Sequence, residues 1–157
     1  MTNALTIKTE PGQSFIEFTR EFDAPVEAVF RAHAEPDLIK QWLGPRGYDT
    51  EVEHYDFRTG GSYRYLQRDG DNVYAFHGVF HVVRENEFAV QTFEYEGFPD
   101  VVSLDSMHFE DLGDGRTRLS GRSVFSSLEA AQGMIASGME RGMTEGYERL
   151  DELLAKS

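Results

Sequence analysis

Five histidines and no cysteine bound the chemistry that this 157-residue chain can perform. Without thiols there are no disulfides, thiolate nucleophiles, Cys-based zinc sites or CxxC redox pairs. His77 and His81 are four positions apart in a segment whose alternation reads as a strand. That spacing puts them on one face but about 13 Å apart, too far to share an ion bonded to nitrogen at about 2 Å. Tyr74, Phe76, Phe80 and Val82 occupy the other face, so both histidines are expected outward and solvated. His54 and Asp56 share a face with Val52 and are also too separated for a direct pair. His108 shares the face of Val102 and Leu104, which makes it the candidate polar group of an apolar cavity. His54 or His108 would be the general base of any proton transfer, yet neither is paired in the sequence with an orienting group. No G-x-S-x-G elbow, HExxH helix, P-loop or GxGxxG turn is present. The reading therefore assigns no catalytic residue, no metal ligand and no cofactor.

Charge narrows the partners. Fifteen basic against 28 acidic side chains leave a net charge of −13, which repels phosphate backbones and anionic lipid. No nucleic acid and no membrane surface is expected, and a homodimer stays open. Residues 1–12 lack the charged start and apolar run of a signal peptide, and no run approaches ~18 apolar residues. A cytoplasmic location follows as the expectation, with one domain over 1–157 and a flexible N-terminus over 1–12.

The positioning elements follow from periodicity. Ile16, Phe18 and Phe22 share one face of a strand over 14–22, a face interrupted by Arg20. Asp23-Ala24-Pro25 reads as a helix entry, with Asp23 as N-cap candidate and Val26, Val29 and Phe30 on the apolar side up to Ala34. Pro36 opens a second short helix carrying Leu38, Ile39 and Trp42, which Gly44-Pro45 stops. Strands are expected near 48–57, 62–68, 73–83, 88–95, 101–110 and 116–125, joined by Gly/Asp-rich connections that suit antiparallel hairpins. Asp56 and Arg58 flank the Gly60-Gly61 turn as a structural latch with Arg64. From Leu128 to about Leu154 the period becomes helical, with Leu128, Ile135, Met139, Met143, Leu150 and Leu153 within about 80° of arc.

Gly142 and Gly146 fall on that helix's apolar face, where each costs about 0.5–1 kcal/mol relative to Ala. Either the sheet approaches closely there or a ligand fills the space. Met139 and Met143 beside them are flexible side chains that adapt to apolar partners. Trp42, the only tryptophan, stands at the end of its helix as an amphipathic wall residue near one end of the cavity, its N–H free to reach a partner.

FTREFDAPVEAVFRAHAEPDLIKQWLGPRG followed by DFRTGGSYRY resembles the activator of heat-shock-protein-90 ATPase homologue-like family, of the START-like, helix-grip superfamily. Arg-x-Phe-x-Ala-Pro, Trp-x-Gly-Pro and Asp-x-Arg-x-Gly-Gly occur in order, and weaker features carry the likeness over nearly the whole chain. Leu43 stands where the family often has a second tryptophan, and Phe93 where a tryptophan is common. The resemblance implies an α+β helix-grip fold: a curved antiparallel sheet of about seven strands around a long C-terminal helix, with two short helices after the first strand. It further implies a hydrophobic cavity between sheet and helix, and no shared catalytic set.

The first functional reading is a binder of a small hydrophobic ligand of lipid-, aromatic- or polyketide-like kind. Trp42, Phe76, Phe80, Met107, Met139 and Met143 supply the apolar lining, His108 a polar group, and Gly142 and Gly146 the room. The alternatives are a cyclase or hydrolase acting on such a compound, and a co-chaperone stimulating a heat-shock-protein ATPase.

Overall fold

Inward and outward residues alternate along every long strand, and their register fixes the architecture. The computed structural model describes residues 3–156. Eight antiparallel strands form one sheet: β1 (Thr6–Thr9), β2 (Phe15–Phe22), β3 (Asp49–Tyr55), β4 (Ser62–Asp69), β5 (Asn72–Arg84), β6 (Phe88–Tyr95), β7 (Val102–Gly113) and β8 (Arg116–Val124). Their spatial order is β1-β2-β8-β7-β6-β5-β4-β3, so the sheet is open at both edges. Four helices lie on its concave side: α1 (Val26–Ala34), α2 (Pro36–Trp42), α3 (Leu128–Ala136) and α4 (Met139–Ala155). This is the helix-grip arrangement expected from the sequence. Among the described residues, no helix is long and apolar enough to cross a membrane.

Three expectations need correction. The strand count is eight, because Thr6–Thr9 pairs with β2 and sets Ile7 opposite Phe18. Four residues are too short for alternation to show, so this part of the expected flexible N-terminus is in fact a sheet edge; residues 1 and 2 lie outside the described residues. The C-terminal helix is two helices. Gly138 adopts φ 90°, a left-handed conformation that Gly accepts without a Cβ penalty, and the axis breaks there. The break separates Leu128 and Ile135 from the inward stripe, and both are exposed. Asp23 does not cap α1; its carboxylate pairs with Arg116 at 3.0 Å, and the N-cap position is Pro25.

The core sits where α1, α2 and α4 cover one end of the concave face. Phe22, Val29, Leu119 and Leu150 are fully buried there, with Phe109 and Trp42 beside them. Arg20 shares this inward parity. Its buried guanidinium makes two 2.7 Å hydrogen bonds to the Asp151 carboxylate on α4, and so ties β2 to the helix.

Candidate functional site

The concave face is sealed at one end and half-open at the other. One row of neighbours across the strands reads Phe80, Gln91, Asp105, Ser123, Ile16. Its two ends, Phe80 and Ile16, are buried in apolar clusters, whereas Gln91, Asp105 and Ser123 between them are only partly covered. Beside this row, Phe93 pairs with Ser103. Beyond it, Tyr65 and Phe76 stack at 5.1 Å, and Phe76 lies 5.4 Å from Phe93 and 5.3 Å from Tyr95. The result is a half-covered strip of the concave face (the cleft), with polar residues along it as its floor and aromatic rings beside it as a shelf. Surface depressions of about 260 and 550 Å³ lie elsewhere, between β1 and β2 and beside α1.

Asp105 dominates the electrostatics of this floor. Burial raises its pKa to about 6, and hydrogen bonds from the Ser123 and Ser103 hydroxyls offset part of that rise. The Ser103 hydroxyl donates to Oδ1 at 2.9 Å. Around it, burial raises the pKa of Tyr55, Tyr63, Tyr65 and Tyr147, so these phenols remain protonated donors at any physiological pH. Tyr63 is already committed: its hydroxyl donates to the Thr92 carbonyl at 2.6 Å and accepts from the Gln91 amide at 3.3 Å. Gly78 makes this reach possible, since a Cβ there would stand 2.7 Å from the Tyr63 hydroxyl.

The residues singled out from the sequence separate into groups. Phe76 lies on the shelf, and Met107 faces inward next to the floor, packed against the core. Met139 packs on the cluster of Ile16, Phe125 and Ala131, and Met143 on the main core. Phe80 is sealed among Tyr55, Phe57 and Tyr63. Trp42 is a core plug instead of a wall at a rim: it is 4% exposed, stacks on Tyr147 at 5.8 Å, and donates its indole N–H to the Ala32 carbonyl at 3.0 Å.

His108 does not enter the interior. It lies on the convex face against Phe88, with rings 4.5 Å apart, because the inward parity of β7 belongs to Ser103, Asp105, Met107 and Phe109. His54 is exposed on β3, bonded to the Ser62 hydroxyl at 3.1 Å. His77 lies outward as expected, against Glu96 at 2.9 Å, and His81 is exposed. Neither candidate base therefore faces the cleft. Arg58 pairs with Asp56 at 2.7 Å, while Arg64 turns instead to Glu53 and Glu96.

Gly146 is closely approached by the chain, whereas Gly142 has only an ordinary contact. A Cβ on Gly146 would meet the Trp42 carbonyl at 3.2 Å and the Gly44 nitrogen at 3.4 Å, and one on Gly142 would lie 3.8 Å from Pro45. The close approach is by the end of α2 and the loop after it, not by the sheet.

His33 is the polar residue of the sealed end. Its Nδ1 donates to the Val29 carbonyl at 2.8 Å, its ring lies edge-on to Trp42 and Phe109, and its Nε2 has no partner among the described residues. Burial lowers its pKa to about 4, against a smaller raising effect of the Val29 bond.

Residues 23–155 match the model of the family described as Activator of Hsp90 ATPase homolog 1-like protein. The chain belongs to this family. The match spans both short helices, the sheet from β3 onward and the closing pair α3–α4, which are the elements that build the cleft. Solved relatives agree. A protein of Arthrobacter aurescens is 25% identical, covers 97% of this chain and 92% of its own, and superposes with a TM-score of 0.87. One from Mycobacterium smegmatis is 26% identical over 96% and 97%, with a TM-score of 0.86. A protein of Silicibacter pomeroyi bearing the family's name, 21% identical over 90% and 97%, shares the fold at a TM-score of 0.72. No curated protein matches the chain in sequence.

Sequence reasoning placed Arg20 on the apolar face of its strand but missed Asp105 as an interior charge. The available signal was parity: Arg20 alternates with Phe18 and Phe22, and Asp105 with Met107 and Phe109.

Proposed function

We propose that this chain binds a small hydrophobic ligand, of lipid-, aromatic- or polyketide-like kind, in the half-open end of the grip. The carrying observation is the contrast along one concave face. Phe22, Val29, Leu119 and Leu150 at the α1–α2 end are fully buried, while Gln91, Asp105, Ser123, Phe76 and Phe93 remain partly accessible although they point the same way. A sheet that needed only a core would bury this end as well. An apolar shelf with a few convergent polar groups is the usual composition of a small-molecule site. Membership in a family whose proteins generally bind ligands in a cavity supports the same reading.

Native mass spectrometry of protein purified without stripping should show a co-purified small molecule. Adding that compound at a hundredfold excess over its Kd should stabilise the fold by about 2.7 kcal/mol. Ser123→Phe places a ring over the cleft floor and should reduce affinity more than tenfold while the protein still melts cooperatively. Unchanged affinity in a folded Ser123→Phe protein places the ligand elsewhere and refutes the proposal.

A further inference from the structure

Resting on that reading, we infer that the cleft selects a protonated amine carried on an apolar body, with the ammonium at Asp105 and the body on the shelf of Tyr65, Phe76 and Phe93. The argument begins with the pairing of interior charges. Arg20, the other inward charge, is saturated by two short bonds to Asp151. Asp105 has hydroxyl donors from Ser103 and Ser123 but no cation beside it among the described residues. An ionised carboxylate accepts about four hydrogen bonds, so two hydroxyls leave it with acceptor capacity facing the cleft.

A charge kept from water without a counter-ion is costly, and a bound cation returns that cost as affinity. The raised pKa of the carboxyl is the same penalty seen in the absence of a cation. The shelf adds to the preference. Phe93 is the cross-strand neighbour of Ser103, whose hydroxyl is bonded to Asp105, so π systems begin one residue pair from the carboxylate. Aromatic faces are electronegative and attract ammonium groups. A net charge of −13 works in the same direction at long range. An anionic head group would meet a carboxylate with no basic side chain to receive it, which disfavours fatty acids and aryl carboxylates.

The test compares head groups on constant bodies. Phenylbutyl and naphthylmethyl compounds bearing an amine, an alcohol or a carboxylate are titrated calorimetrically at pH 7.5 and 0.3 M salt, where surface attraction is screened. The amines should bind at least tenfold more tightly than the matched alcohols, and the carboxylates should not bind. Asp105→Asn and Asp105→Ser should bring amine affinity down to that of the alcohol while alcohol affinity persists, with thermal melts showing that both variants are folded. Alcohols binding as well as amines would overturn the amine assignment and leave the pocket standing. An amine preference that survives both substitutions would also overturn it, because the attraction would then lie outside the cleft. If none of the compounds binds, both the amine assignment and the pocket are refuted.

Discussion

Two interior groups, His33 and Asp105, should make the stability of this protein almost flat between pH 7.5 and 5 by opposing one another. The folded-state pKa of His33 is about 4 against 6.5 in the unfolded chain, so it must charge in the unfolded state first. Its contribution is fully present above pH 6.5 and is lost as pH falls from there toward 4. At pH 5 the linkage relation gives a loss of about 2 kcal/mol relative to pH 7.5. Asp105 is shifted the other way, to about 6 in the folded protein against 3.8. It takes up its proton first when folded, so its penalty is present above pH 6 and is relieved as pH falls toward 3.8. By the same relation it returns about 1 kcal/mol at pH 5. The two contributions oppose each other, so the net loss is about 1 kcal/mol or less.

Single substitutions should expose the two halves. Urea unfolding followed by far-UV circular dichroism is measured at pH 7.5, 6 and 5 for the wild type, His33→Phe and Asp105→Asn. His33→Phe keeps an aromatic ring between Trp42 and Phe109 and removes the titration; its stability should rise by about 1 kcal/mol on going to pH 5. Asp105→Asn should lose about 2 kcal/mol over the same interval. The comparison is of slopes with pH, so any constant packing cost of either replacement drops out. Parallel pH profiles for all three proteins would refute the reasoning, since neither buried group would then differ in pKa between folded and unfolded chains.

The remaining predictions concern packing and charge. Gly142→Ala should stabilise by about 0.5–1 kcal/mol, the helix-propensity gain, because its Cβ meets Pro45 at an ordinary 3.8 Å. Gly146→Leu should lose about 1–3 kcal/mol in the same melts, because the new side chain presses on the Trp42 carbonyl and Gly44. Equal melting temperatures for the two would mean that α4 does not rest on the end of α2. Asp151→Asn leaves the Arg20 guanidinium buried with a neutral partner and should cost about 2–4 kcal/mol in denaturant unfolding, with little dependence on salt. A loss that disappears at 0.5 M salt would mark the pair as solvent-exposed.

Most of the fold was legible because its strands alternate and its turns carry Gly and Asp. Seven strand positions, both short helices and the order of elements follow from those signals. What failed did so for identifiable reasons. Four residues of β1 are too few for periodicity. The choice of Gly138 as the break depends on a left-handed backbone that Gly133, Gly142 and Gly146 could equally have adopted on composition. The facing of β7 was inverted by a sound rule applied where it does not hold. Apolarity alone makes Val102 and Leu104 the inward set, yet they are exposed on the convex side, and His108 lies outward with them. At the open end the inward set is Ser103 and Asp105, so hydrophobicity and burial run in opposite phase there.

That inversion itself points to the cleft. Arg20 and Asp105 both break the apolar face of their strands at inward positions. Each is an expense that a pure core would not retain, since a buried charge needs a partner. For Arg20 the partner is Asp151, 131 residues away and invisible to any local pattern, and once it is found the arginine is explained as a tie between β2 and α4. For Asp105 no such partner is supplied by the described residues, and the side chains around it are hydroxyls, an amide and aromatic rings. Of two interior charges built on the same alternation, one is satisfied within the chain and the other has no cation beside it among the described residues. The satisfied charge belongs to the structure; the open one is where the proposed ligand would complete it.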